Sequence, residues 1–253
     1  MRDVLEALAA GDLSVDEAEA RLAGYATSEA GRFDAAREHR RGVPEAILSD
    51  GKEPSEVAKL AETALESTGR AIVTRADAAH REAVESVVAG RAAEVTLHPR
   101  ADLVVVHEDG YEPPDVDALV GVVTAGTSDA GPATEAAVIA SEMGPTVDRV
   151  DDVGVAGIHR LFDRVAALRE ADVLVVAAGR EGALPTVVAG LVDTPVIGLP
   201  ISTGYGRGGA GEAALLGMLQ SCSVLSVVNV DAGFVAGGQA GLVARAVGGA
   251  RER

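Results

Sequence analysis

The chain has no tryptophan, a single cysteine, and only three residues each of tyrosine and phenylalanine. Large aromatic anchors are therefore scarce, and any core must be built from aliphatic side chains. The lone Cys222 excludes an internal disulfide framework and any zinc site made of clustered thiolates. Lysine is nearly missing too: the 22 basic residues are 20 Arg with only Lys52 and Lys59. Against them stand 39 Asp and Glu, a formal net charge of −17. That balance opposes binding to bare nucleic acid, whose phosphates are neutralised by Lys and Arg. No apolar run approaches the roughly 18–20 residues needed to span a bilayer, and the opening MRDVLEALAAGD lacks the layout of a signal peptide. The expectation is a soluble cytoplasmic protein with small-molecule ligands and no nucleic-acid or membrane partner. An acidic, lysine-poor surface fits a chain kept soluble in concentrated salt, where screening shortens self-repulsion. An ordinary acidic cytosolic protein is the plainer alternative.

What is present is apolar enough to fold. Hydrophobic residues make up 47% of the 253 positions, well above the composition of a disordered acidic chain. The length suits one large domain or two ordinary ones. The charge divides unequally: residues 1–119 carry 25 acids and 13 bases (net −12), residues 120–253 carry 14 and 9 (net −5). Between them, His107 to Asp115 is polar, with Gly110 and the pair Pro113-Pro114, and reads as a connector. This places an N-terminal domain at 1–115 and a second domain at 116–253. In the first, helical spacing predicts two short amphipathic helices, the first ending near Gly11 and the second near Gly24. A strand at 44–48, a helix at 54–65, a strand at 71–74, a helix at 77–88 and a strand at 103–106 follow. The result is a smaller α/β or α+β unit.

The second domain is more regular. Apolar strands are expected at 120–124, 146–150, 173–177, 195–199 and 224–229. Helices are expected between them at 131–143, 158–170, 182–191 and 209–220, with a last one at 234–247. Continuously apolar strands alternating with helices indicate a parallel sheet covered on both faces, a three-layer αβα domain. In such sheets ligands lie beyond the carboxyl ends of the strands, and the motifs are expected at those ends. Gly126-Thr127-Ser128-Asp129 follows the first strand and offers backbone N–H groups and two hydroxyls to a phosphate or ribose; a plain turn with Ser128 or Asp129 as helix cap is the alternative. His159 and Arg160 follow the second strand, as a proton carrier and an anion partner, or as ordinary surface residues at a helix start. Glu181 follows the third strand, where a helix dipole would favour a carboxylate in any case. The segment 204–211 has five Gly in eight residues, including Gly204-Tyr205-Gly206, and could close over a ligand or be a mobile surface loop. Asn229 and Asp231 end the fifth strand. Cys222 sits at the turn entering that strand, after a helix rather than at a helix start, so no dipole lowers its pKa.

Taken in order, these segments resemble the carboxylases and mutases of purine biosynthesis that act on aminoimidazole ribonucleotide, the PurE class. Thr127-Ser128-Asp129 is similar to that class's phosphate and ribose loop, and Ile158-His159-Arg160 to its second-strand motif. One departure matters: the class has His-Leu-Pro where this chain has Ala183-Leu184-Pro185, so the proton-handling imidazole of purine chemistry is missing. A closer resemblance is to the LarB family of nickel-pincer cofactor synthases. It is carried by 125–129, 154–160, 181–192, Gly204-Tyr205-Gly206 and Cys222, and by the N-terminal run Phe33-Asp34-Ala35-Ala36-Arg37-Glu38-His39-Arg40-Arg41-Gly42-Val43-Pro44-Glu45. It spans almost the whole chain.

That resemblance implies a carboxylation at C5 of the pyridinium ring of nicotinic acid adenine dinucleotide, with CO2 or bicarbonate as co-substrate. Cleavage of the phosphoanhydride would then give AMP and pyridinium-3,5-dicarboxylate mononucleotide. An electron-poor pyridinium C5 does not attack CO2 unaided. Addition of a thiolate to the ring creates an enamine with a nucleophilic C5; loss of the C5 proton and of the thiolate then restores aromaticity. The one thiol, Cys222, becomes the implied nucleophile, provided it reaches the ring. Gly126, Thr127, Ser128 and Asp129 would hold the ribose phosphate. His159 or Glu181 would take the proton. Arg160, Gly204, Tyr205, Gly206, Asn229 and Asp231 would complete substrate binding. Mg2+ is expected to neutralise the anhydride, with Glu181 a candidate ligand and the metal site otherwise unassigned. The resembled classes imply a homo-oligomer. Arg37, Arg40 and Arg41 form a basic cluster that could reach phosphates or a neighbouring subunit, or be a solvated face. The competing functions are a purine-pathway carboxylase or mutase, and a nucleotide-binding module without turnover.

Overall fold

The computed structural model describes residues 2–11 and 13–253, which form two compact units, 1–112 and 113–253. The first unit opens with helices α1 (Arg2–Ala10) and α2 (Val15–Leu22). A tight hairpin follows, β1 (Ala26–Ser28) against β2 (Gly31–Phe33), and then the short helix α3 (Arg37–Arg41). The rest runs β3 (Ile47–Leu48), α4 (Pro54–Thr68), β4 (Arg70–Thr74), α5 (Ala78–Val88), β5 (Ala93–His98) and β6 (Leu103–Glu108). The sheet order is β3-β4-β6-β5, with the first pair parallel and the other two antiparallel. This is an α+β unit.

Its local choices follow from the sequence. Pro54 opens α4, where its missing N–H is unneeded, and Glu53 and Glu56 bond reciprocally across that helix start. Asp77 caps α5 by accepting from the His80 N–H at 2.9 Å. The strand expected at 44–48 pairs only at Ile47 and Leu48, opposite Val73 and Thr74 of β4. The β1–β2 hairpin, the short helix α3 and β5 escaped the sequence reading. β5 is an edge strand whose residues alternate between partly covered and exposed, so it lacks the continuous apolar run of a buried strand. Leu65, Ala71, Val73, Val84, Val104 and Val106 form the core. Two members of the basic cluster are paired locally, Arg37 with Glu45 and Arg40 with Asp34, each at 2.6 Å, while Arg41 is exposed.

The second unit is a three-layer αβα fold around a five-stranded parallel sheet. Its chain order is β7 (Val116–Thr124), α6 (Ala130–Ser141), β8 (Pro145–Val150), α7 (His159–Phe162), α8 (Val165–Leu168), β9 (Val173–Ala178), α9 (Ala183–Ala189), β10 (Val196–Pro200), α10 (Glu212–Leu219), β11 (Ser226–Val227) and α11 (Gly233–Arg251). The spatial order is β11-β10-β9-β7-β8, all parallel. All six residues of β9 and all five of β10 are buried, as strands covered on both faces must be. One face packs on α6 and α11 through Ala133, Ala136, Ala236 and Ala240. The other is covered by Leu161, Leu168, Leu184, Val188 and Met218 from α7 to α10.

The helix expected over 158–170 is two short helices, because the Arg164 N–H bonds to the Leu161 carbonyl at 2.9 Å and tightens the chain into a turn. The strand expected at 224–229 pairs only at Ser226 and Val227, and Val224 is 96% exposed. Among the described residues, no helix is long and apolar enough to cross a membrane.

Candidate functional site

The sheet order fixes where a cleft can form. The chain leaves β7 for β8 on one side and returns to β9 on the other, so crossovers diverge between β7 and β9. At such a switch point the helices part and the carboxyl ends of two strands face an open crevice. The turns after these two strands carry Gly126–Asp129 and Gly179–Gly182.

Asp129 ties them together. Its carboxylate accepts from the Gly126 N–H at 2.8 Å and from the Ser128 hydroxyl at 3.3 Å, and the N–H groups of Ala125 and Gly179 face it as well. It makes no cap bond to α6, so it braces the turn and does not start the helix. Asp129 is only 3% exposed. Burial raises its pKa above the ordinary carboxylate value, against the N–H and hydroxyl donors that favour the anion. The hydroxyls of Thr127 and Ser128 belong to exposed residues of the same turn.

The β10 turn joins from the other side. Thr203 donates from Oγ1 to the Ser128 carbonyl at 3.4 Å, and the Arg180 N–H bonds the Thr203 carbonyl at 3.4 Å. A Cβ on Gly179 would lie 2.5 Å from that same Thr203 oxygen, so only glycine lets the two turns meet. Beyond Thr203 the Gly-rich loop holds Gly204, Tyr205 and Gly206, with Tyr205 79% exposed. Asp231, in the left-handed region at φ 54°, accepts the Ser202 N–H at 2.9 Å and so links β11 to the loop.

The structure thus brings together Gly126, Ser128, Asp129, the Gly-rich loop and Asp231. Other expected site residues stand differently. Arg160 is turned to Asp152, at 2.5 Å. His159 is exposed at the start of α7. Glu181 is exposed before Gly182, which caps α9, so it does not occupy the helix N-terminus expected of it. Asn229 accepts its neighbour Val230 N–H at 2.9 Å. Cys222 is at the turn entering the fifth strand, as its sequence position implied, and for that reason it is not among the carboxyl-end turns. It lies on the approach to β11, after α10 has carried the chain back along the sheet, and is exposed. Adjacent Ser223 donates to the Thr186 carbonyl of α9 at 3.2 Å, which anchors this segment over the helix face. Among the described residues, no three His, Cys, Asp or Glu side chains converge as a metal-ligand set.

One residue escaped the sequence reading. Arg180, in the β9 turn, stacks its guanidinium 4.1 Å from the Tyr205 ring centre and donates to the Tyr205 hydroxyl at 3.0 Å. It lies in the segment that follows the third strand, beside Glu181, but only the folded turn brings it to a residue 25 positions on.

Known proteins resemble this chain over both units. A family model described as AIR carboxylase matches residues 119–253, and one described as LarB/PurE-like N-terminal domain matches residues 25–108. An uncharacterised protein of Methanocaldococcus jannaschii is 38% identical over 252 residues, covering 97% of each chain. The crystal structure of a variant of Treponema denticola PurE2 is 21% identical, covering 47% of this chain and 76% of that one, with a TM-score of 0.38.

Proposed function

Because the chain belongs to the AIR carboxylase family, in the form that carries a LarB/PurE-like N-terminal domain, we propose that its carboxylase chemistry is directed at nicotinic acid adenine dinucleotide. The reaction would carboxylate the pyridinium C5 and hydrolyse the phosphoanhydride. AMP and pyridinium-3,5-dicarboxylate mononucleotide are the products, for nickel-pincer cofactor synthesis in the cytoplasm. The observation that carries this reading is at α9. Its first residue is Ala183, a methyl group where purine chemistry would want an imidazole, while the chain keeps one exposed thiol in Cys222.

In this reading the β7 turn holds the nicotinate ribose phosphate. Thr127 and Ser128 supply hydroxyls, Gly126 lets the backbone approach, and Asp129 stiffens the turn from beneath. The Cys222 thiolate adds to the ring and makes C5 a carbon nucleophile toward CO2. A neighbouring base, His159 or Glu181, takes the C5 proton, and the ring expels the sulfur as aromaticity returns. Within one chain the thiol stands apart from the carboxyl-end turns, so it is supplied by a second copy in a homo-oligomer. Leu216, Leu219 and Val224, 48%, 60% and 96% exposed beside Cys222, favour such a covered surface. Mg2+ prefers phosphate oxygens and water with one or two carboxylates. In this reading the ion would be held mainly by the substrate's phosphates, with Glu181 the candidate protein ligand, and would neutralise charge on the anhydride.

The test is direct: incubate the protein with nicotinic acid adenine dinucleotide, bicarbonate and Mg2+ and analyse by mass spectrometry. AMP together with a doubly carboxylated mononucleotide is the expected outcome. Conversion of aminoimidazole ribonucleotide instead would move the protein to purine biosynthesis, and binding of the dinucleotide without product would make it a sensor.

A further inference from the structure

We infer that Arg180 is a phosphate-recognising residue of this site, held in place for its ligand by the ring of Tyr205. The inference rests on reading the carboxyl edge as a nucleotide site, and it adds a residue beyond those expected from the sequence.

Its position comes first. Arg180 occupies the turn after β9, one of the two strands that border the crevice. Its backbone is left-handed, φ 53°, a conformation that residues with a Cβ rarely adopt. Outliers of this kind persist where surrounding contacts over-determine them, and they gather at ligand sites. Here the Thr203 carbonyl fixes the turn on both sides, accepting the Arg180 N–H and filling the space beside Gly179.

Charge comes second. Two arginines nearby are matched by acids, Arg160 by Asp152 at 2.5 Å and Arg149 by Asp151 at 3.0 Å, although, among the described residues, Arg207 in the Gly-rich loop is not. Arg180 has no such partner among the described residues; neither Glu181, its neighbour in sequence, nor Asp129 pairs with it. In a chain of net charge −17, Arg180 thus keeps an exposed guanidinium free of any carboxylate beside the Gly-rich loop. The Tyr205 hydroxyl occupies one N–H of the guanidinium. The remaining donors stay open in the planar fork that suits a phosphate.

Preorganisation comes third. A free arginine loses rotamer freedom when it binds an anion. With its guanidinium 4.1 Å from the Tyr205 ring centre and bonded to the hydroxyl, Arg180 has already lost much of it. The ring leaves the positive charge intact, where a carboxylate would neutralise it. Tyr205 is therefore a positioning residue and Arg180 the group that meets the ligand.

Isothermal titration calorimetry tests this with two probes, nicotinic acid adenine dinucleotide and aminoimidazole ribonucleotide. The proteins are the wild type, Arg180→Ala, Arg180→Lys, Tyr205→Ala and the Arg180→Ala/Tyr205→Ala double variant. Losing a charge-assisted pair should weaken dinucleotide binding about 30-fold in Arg180→Ala. Arg180→Lys keeps the charge without the fork and should recover part of that loss. Tyr205→Ala should weaken binding about 5-fold, yet add nothing in the double variant. Binding by Arg180→Ala within 2-fold of wild type overturns the inference and leaves the substrate reading standing. A double variant weaker than Arg180→Ala by the full Tyr205 factor overturns the positioning role. If wild type binds only the ribonucleotide, and Arg180→Ala loses it, the substrate reading fails and Arg180 keeps its role. Binding of neither probe by wild type overturns both.

Discussion

Asp129 shows what one residue can be asked to do at a switch point. Its carboxylate is buried and lies against N–H groups of two turns, and burial still outweighs those donors and raises its pKa. A carboxyl whose folded pKa is raised binds its proton more tightly in the native state than in the unfolded chain. Its ionisation thus costs stability above the folded pKa, and that cost is relieved as the pH falls toward the unfolded value. Asp129→Asn removes the charge and keeps the Gly126 N–H on its amide oxygen, although its amide nitrogen cannot accept from the other N–H groups that face the carboxylate. The stability of the variant relative to wild type should therefore be highest at pH 7 and fall as the pH drops toward 3.5. Urea denaturation at the two pH values checks this, and a relative stability that rises on acidification would show the sign to be wrong. The same substitution should weaken nucleotide binding, since stability and function compete at such positions.

At the scale of elements, α11 and α6 illustrate close packing without large side chains. The eight buried residues of α11 are all Gly or Ala. A Cβ added at Gly237 would stand 2.3 Å from the Ala136 carbonyl oxygen of α6. Backbone cannot step aside as a flexible side chain does, so Gly237→Ala should destabilise the protein by about 1–3 kcal/mol. A lower denaturant midpoint at unchanged slope would report it; an unchanged midpoint would mean that the helices separate freely. This packing bears on how far the sequence could be read. The central strands β7, β9 and β10 of the second unit were legible because a doubly covered strand must be an unbroken apolar run, as in Val173–Ala178, whereas the edge strand β11 and the split pair α7 and α8 were drawn too long. The hairpin Ala26–Ser28/Gly31–Phe33 and β5 were not legible, since short or half-exposed strands bury too little to leave a pattern. For the candidate site, the turn containing Ser128 and Asp129 stood out by its residue types. The edge at which Cys222 lies followed from its place between a helix and the start of a strand, whereas the stacking of Arg180 on Tyr205 depends on tertiary contact and leaves no trace in local spacing.

For the whole molecule, the separation of Cys222 from the carboxyl-end turns makes subunit exchange informative. Cys222→Ser should abolish carboxylation with the fold intact by circular dichroism. Ser128→Glu sets a negative charge in the turn assigned to the phosphate and should be inactive for a different reason. Co-expressed at equal levels, the two variants should assemble at random, and a site formed between copies would be intact in about one case in four. Activity near a quarter of wild type is the expected result. Silence from mixed oligomers that do assemble would place the thiol within its own chain's site and refute the shared arrangement.

The position of α11 has one more consequence. It follows all five strands of its unit, yet it covers the sheet face formed by β7, the first of them, through Ala236, Ala240 and Ala244. A chain broken between β11 and this 19-residue helix would present Val120, Val122, Val175 and Leu199 to its surroundings with only α6 laid across them, and chaperones or proteases would have to intercept it.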